Sequence, residues 1–240
     1  MQHAEAWKPT KYLPIGNTWR ASRDPQQVTP ASRLIADCLA QRYHQLIAQH
    51  ATGALLDHGC GQAPLYGMYR ARTSDVTAID WEHSPHDISY VDHAVDLNGR
   101  LPFDDGRFDT IVSSDVIEHL WNPLLVFQEL SRVLKPGGKL IVGTPFNYWM
   151  HERPHDYFRW TPHAIQKLGA ETRLETLELY ACGGVREVLV DTALKALPRR
   201  LRRFAPALDH IARATRFVSV DRVSHGPFTL GVVAVLQRRG

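Results

Sequence analysis

Between residues 54 and 145 the sequence alternates short apolar runs with stretches of helical period, and that alternation leaves few architectures open. The runs ALLD (54–57), DVTAID (75–80), RFDTIVSSD (107–115) and GKLIVGTP (138–145) have the length and composition of buried strands. Between the last two, Leu124, Leu125, Phe127, Leu130, Val133 and Leu134 place an apolar face on a helix over 123–134, with KPGG expected to stop it. Strands alternating with helices predict a mostly parallel sheet covered on both faces, an α/β three-layer sandwich.

Outside that region the pattern is looser. RLETLELYAC (173–182) and FTLGVVAVLQ (228–237) read as the sixth and seventh strands, separated by about 45 residues, far more than an ordinary connection. The 183–227 stretch reads as a helical insertion, with Val188, Leu189, Leu194 and Leu197 at helical spacing. Residues 1–30 show no sustained period and read as an irregular arm. Thr29 as N-cap and Pro30 in the first turn then open an amphipathic helix to His50. The expected organisation is a single domain over 1–240: arm and cover helix at 1–50, core at 51–182, insertion at 183–227 and last strand at 228–240.

Composition sets limits on partners and location. With 240 residues, 44% of them hydrophobic, the chain can bury one full-sized core. A net charge of +3 is too mild for a dedicated nucleic-acid binder, so none is expected as partner. Three cysteines, far apart and odd in number, indicate neither a disulfide framework nor a zinc knuckle. No secretory h-region follows the first charges and no run reaches the roughly 18 apolar residues of a span, so a cytoplasmic protein is expected.

LLDHGCGQA places Gly59 and Gly61 in the turn after the first strand, where absent side chains let backbone N–H groups approach a ligand. A glycine pair also serves ordinary tight turns, and the next observation is what gives it weight. Asp80 ends the second strand close to the roughly 20-residue offset at which a carboxylate takes ribose hydroxyls. Trp81 follows, placed to lie along a base, and Asp96 in VDLNGRLPF sits where a third-strand loop returns to the base's edge.

LLDHGCGQA, the acid Asp80, and VDLNGRLPFDDGRFDTIVSSDVIEHLWNPLLVFQELSRVLKPGGKLIVGTP, in register over about 90 residues, resemble the class I S-adenosylmethionine-dependent methyltransferases, in particular the type 11 branch. The resemblance implies a Rossmann-like fold with a seven-stranded, mostly parallel sheet, and S-adenosyl-L-methionine as cofactor. It assigns Asp57, Gly59, Cys60 and Gly61 to the methionine end, Asp80 with Trp81 to ribose and adenine, Asp96 and Leu97 to adenine, and Ser114 and Asp115 to the methionine or acceptor side. The chain departs from the family pattern at Ala63, where a third glycine is common; tighter packing or a slightly displaced loop is expected there. A nicotinamide dinucleotide fits less well, since its third-glycine position is Pro64. A cofactor sensor without turnover and an NAD-dependent oxidoreductase stand as the alternatives.

Methyl transfer needs alignment and, for a hydroxyl or ammonium acceptor, a base. The candidates are His119 in DVIEHLWNP and the cluster His151, Glu152, His155, Asp156, Tyr157 and Arg159 in MHERPHDYFRWTP, where Asp156 is placed to orient His155 or His151 as a base, and Tyr157 and Arg159 are the candidate acceptor-binding residues. Glu118 reads as a helix N-terminal charge, and Thr161 before Pro162 as an N-cap. His151-Glu152-Arg153-Pro154-His155 matches the H-E-x-x-H pattern, but Pro154 and the absence of helical period argue against a zinc protease, and no metal is expected. The strand-four edge reads SSDVIEH without the Asn/Asp-Pro-Pro-aromatic clamp of nucleobase amino methyltransferases. The expected acceptor is therefore an oxygen, or a nitrogen, of a small molecule, glycan or lipid precursor. Lys195, Arg199, Arg200, Arg202 and Arg203 suggest either a solvated face or a peripheral membrane contact through 195–204.

Overall fold

The computed structural model describes residues 1–198, 220–222 and 228–240, the short middle segment as backbone only. Its centre is an eight-stranded sheet. The first five strands in chain order are β3 (Ala54–His58), β4 (Asp75–Asp80), β5 (His93–Ala94), β6 (Phe108–Ser114) and β7 (Leu134–Pro145). β8 (Leu174–Cys182), β9 (Val220–Arg222) and β10 (Gly231–Arg238) complete it, in the spatial order β5-β4-β3-β6-β7-β10-β8-β9. The five strands from β5 to β7 pair in parallel, while β10 runs antiparallel to both neighbours and β9 antiparallel to β8.

The seven expected strands are present, and β9 is an eighth, in the stretch expected to be wholly helical. Every residue of β3 is buried, as its unbroken apolar run requires for a strand covered on both faces. α1 (Arg33–His50) and the single turn α2 (Tyr66–Tyr69) pack on one face through Leu39, Tyr43, Leu46 and Tyr69. α3 (Pro123–Val133) and α4 (Pro162–Glu171) cover the other through Phe127, Leu130 and Ile165. Thr161 caps α4 as expected, its side chain accepting from the Ala164 amide. Thr29 does not cap α1, because a 3-10 turn over Pro30–Ser32 intervenes. KPGG does not end α3 in a turn either: α3 runs directly into β7, which takes those residues into its first half.

The N-terminal segment departs from expectation. Residues 1–30 contain an antiparallel hairpin, β1 (Tyr12–Ile15) and β2 (Thr18–Ala21), turned at Gly16 with φ of 55°. The Ala21 amide donates to Asp37 of α1, and Arg23 grips the same carboxylate, fixing the hairpin to the cover helix. Trp7 and Trp19 close over Gly67, where a Cβ would come within 2.7 Å of either ring. α5 (Val185–Ala196) opens the insertion. The sheet order reverses between β3 and β6, so the crevice beyond their carboxyl ends is where such a sheet binds ligands.

Candidate active site

That crevice is a cavity of about 1070 Å3. Among the sequence-derived candidates, Gly59, Cys60, Gly61, Asp80, Trp81, Asp96, Leu97, Ser114, Asp115, His119, His155 and Tyr157 all line it. Asp57, Asp156 and Arg159 do not.

The first wall is the turn after β3. Gly59 and Gly61 take φ of 70° and 50°, and the amides of Gly59 and Cys60 donate to the Ile79 carbonyl, which fastens the turn to β4. Gly61 N–H donates to Asp80 Oδ2 at 2.5 Å and Trp81 N–H to Oδ1 at 2.7 Å. Burial raises the Asp80 carboxyl above its ordinary value against those amide bonds. Each of its oxygens keeps a second lone pair for a ligand hydroxyl.

Ala63 shows how the chain manages without the third glycine. It adopts the left-handed φ of 49° in a fully buried position, and its carbonyl accepts from Trp7 Nε1. An alanine there costs about 1 kcal/mol relative to glycine, a strain held in place by the N-terminal packing.

Asp57 sits behind this wall. Its carboxylate accepts from the Tyr69 hydroxyl at 2.6 Å, and burial pushes it up to about 7 despite that bond. Asp57 therefore supports the turn from beneath and does not touch the cavity. His58 likewise faces the core, bonded to Ser113, with burial holding it down to about 4.

At the far wall Asp115 follows β6 in a left-handed conformation, its Oδ2 taking the Lys11 ammonium at 2.6 Å and its Oδ1 buried without a partner. Burial works against the charge of Lys11, yet Asp115 outweighs it and raises the lysine above its usual value. Sequence reasoning passed over Lys11, which the N-terminal hairpin carries into the site.

The histidines separate into two sets. His155 stacks edge-on to Trp81 at 5.1 Å and meets the Tyr157 hydroxyl at 3.0 Å. Asp156 neither touches His155 nor faces the cavity: Arg159 forks onto both its oxygens, drawing it down to about 2, and it accepts from the His151 amide. Arg159 also donates to the carbonyls of Trp149 and Phe158, so the arginine expected to bind an anion instead clamps the loop, and Asp156 lies 3.5 Å from His151 Nδ1 rather than against His155.

His119 and His151 form the second set, rings 4.7 Å apart, together with Glu118 and Glu152. Glu118 is wholly buried rather than an exposed helix-end charge, and burial, then the Asp115 charge, pushes it well above the carboxylate range. H-E-x-x-H is not helical: 151–156 form an irregular loop, and His151 turns toward His119 instead of His155.

A smaller space of about 230 Å3 adjoins the cavity. Ile35, Ala36 and Leu39 of α1 give it an apolar side, Glu118, Tyr148 and His151 a polar one, and Lys11, Gln27, Asp115 and Glu152 line both spaces.

Residues 56–142 match the family model described as a methyltransferase domain. This segment is a class I S-adenosylmethionine-dependent methyltransferase domain of the type 11 branch. S-adenosylmethionine is the cofactor that goes with it. The chain is 29% identical over 147 residues to a ubiquinone biosynthesis O-methyltransferase of Xanthomonas euvesicatoria, covering 56% of this chain and 59% of the relative. It is 31% identical over 121 residues to a malonyl-[acyl-carrier protein] O-methyltransferase of Herminiimonas arsenicoxydans, covering 48% and 45%. The chain thus spans about half the length of the curated relatives it matches.

Solved structures agree on the fold. A geranyl diphosphate methyltransferase with geranyl diphosphate and sinefungin superposes with a TM-score of 0.55 at 16% identity, covering 87% of this chain and 81% of that one. The [4+2]-cyclase SpnF gives the same score at 19% identity, covering 96% and 87%. The methyltransferase architecture therefore also carries other chemistry, and activity has to be argued from the site.

Proposed function

We propose that the chain transfers the methyl group of S-adenosylmethionine to an oxygen of a small-molecule, glycan or lipid-precursor acceptor. The observation that carries this reading is the pair of adjoining spaces, one lined by the glycine turn and Asp80, the other by Glu118, Tyr148 and His151, joined through Lys11, Asp115 and Glu152. Such an arrangement brings two ligands together, and alignment is most of what in-line displacement needs. The names of the two O-methyltransferase relatives favour oxygen over nitrogen.

Bound in the larger cavity, the cofactor supplies a sulfonium methyl for displacement. Asp80 would accept its ribose hydroxyls, the amides of 59–61 would face its methionine end, and Trp81, Asp96 and Leu97 would surround adenine. Asp115 Oδ1, buried without a partner, is suited to an ammonium group. Proton removal falls to the side chains at the junction, with His119 on the side of the larger space and His151 on that of the smaller; His155 lies on the cofactor side with Trp81.

Peripheral membrane contact has less support. Lys195 is buried, paired with Asp191 and stacked over the Tyr148 ring at 3.8 Å, so it belongs to no basic surface. Arg199, Arg200, Arg202 and Arg203 lie outside the described residues. No helix among the described residues is long and apolar enough to cross a membrane.

The test is transfer of labelled methyl from S-adenosylmethionine into an extract, with the product identified by mass. A labelled small molecule bearing a new methoxy group is the expected outcome; cofactor binding without any labelled product would favour the sensor.

A further inference from the structure

The junction holds three side chains whose free lone pairs converge on one point. Glu118 is fully buried; Thr144 donates to its Oε2 at 3.0 Å, and its Oε1 has no partner. His119 Nε2 lies 3.7 Å from that oxygen and His151 Nε2 4.0 Å from it, and one ligating atom from each of the three residues lies within 4.8 Å of the others. His119 Nε2 is also buried and unpartnered. Leaving such acceptors buried and unpaired is costly, on the order of 1–3 kcal/mol each.

A hydrogen bond behind His119 fixes the orientation of that ring. His119 Nδ1–H donates to the His155 carbonyl at 2.6 Å, which leaves Nε2 as the bare acceptor. His151 Nδ1 lies 3.5 Å from Asp156 Oδ2, and Arg159 holds that carboxylate in place. The carbonyl behind His119 is of the kind that orients metal-ligating histidines, whereas His151 Nδ1 makes no hydrogen bond and has Asp156 as its neighbouring acid. A tetrahedral zinc with bonds of about 2.1 Å separates its ligands by roughly 3.4 Å, so the three atoms, within 4.8 Å of one another, would draw inward on one ion. Glu152 Oε2, 3.7 Å from His119 Nε2, is a fourth oxygen within reach.

We propose that Glu118, His119 and His151 form a binding site for a divalent transition-metal ion at the junction of the two spaces. Two imidazoles and a carboxylate suit zinc and its first-row neighbours rather than calcium or magnesium. His119 faces the larger cavity, while Glu118 and His151 face the smaller one, so the ion's open position lies between cofactor and acceptor. Resting on the methyl-transfer reading, a further consequence is that an acceptor hydroxyl bound there would lose its proton more readily. Binding of the ion itself does not depend on that reading. The donors come from two segments about 30 residues apart, which is why no short motif announced them.

Chelator-stripped protein, titrated with Co2+ in the absence of cofactor, should take up one equivalent and develop visible d–d absorption. His119→Ala and His151→Ala should each weaken binding by on the order of 100-fold or more. Far-ultraviolet circular dichroism and the urea midpoint, measured on the same samples, report whether the variants are folded, and affinity for S-adenosylhomocysteine is measured on the unmutated protein. In the unmutated protein Co2+ should protect His151, whose side chain is 20% exposed, but not the exposed His3 and His83, from diethylpyrocarbonate, as mapped by mass spectrometry. Absence of saturable binding, parental affinity in both variants, or an unprotected His151 would overturn the site. Co2+ binding without S-adenosylhomocysteine binding would instead count against the methyltransferase reading and leave the metal site standing.

Discussion

Asp57 shows how one residue's environment can change its role. The carboxyl lies beneath the glycine turn, bonded to Tyr69, and titrates near 7 in the fold against about 3.9 when exposed. The folded state therefore binds this proton more tightly than the unfolded chain does. Its contribution to stability is complete below about pH 4 and is lost as the pH rises through 7. Asp57→Asn keeps an acceptor for Tyr69 and removes the titration, so its urea midpoint should vary less than that of the unmodified protein between pH 4 and 8. An unchanged pH profile would show that Asp57 titrates normally. The sequence identified this acid as a motif member but not which way it faced, because a residue at a strand end can point into either the cavity or the core.

Among the elements, the hairpin β1–β2 was the least legible and contributes most that was not foreseen. Each strand has only four residues, Pro14 interrupts the first, and only the two-residue Gly16-Asn17 turn marked the pair. By contrast β4 and β8 stood out through apolar composition, and α3 through its wide apolar face. The hairpin carries Lys11 to Asp115, joining an N-terminal element to the edge of β6. Because Lys11 remains about a third exposed, solvent screening limits the pair to about 1 kcal/mol. Lys11→Ala should lower the thermal midpoint by a few degrees and weaken cofactor binding. A variant matching the parent in both would detach the hairpin from the site.

For the whole molecule, strand alternation settled the α/β class, and Asp80 at the end of β4 was the residue from which a cofactor site was expected. The acceptor side was not legible in the same way. Glu118 and His151 meet only because the loop after β7 folds back over the end of β6, and pairings across such distances leave no local period. Twelve of the candidate residues line one cavity, while Asp156 and Arg159 belong to a clamp that shapes the loop. Calorimetric titration with S-adenosylhomocysteine, with NAD as the control ligand, tests the central claim that this cavity is a methyltransferase cofactor site. One molecule of S-adenosylhomocysteine should bind per chain and NAD should not, with Asp80→Ala weakening the first by roughly 10- to 100-fold. Equal affinity in Asp80→Ala, or binding of NAD in preference, would contradict it.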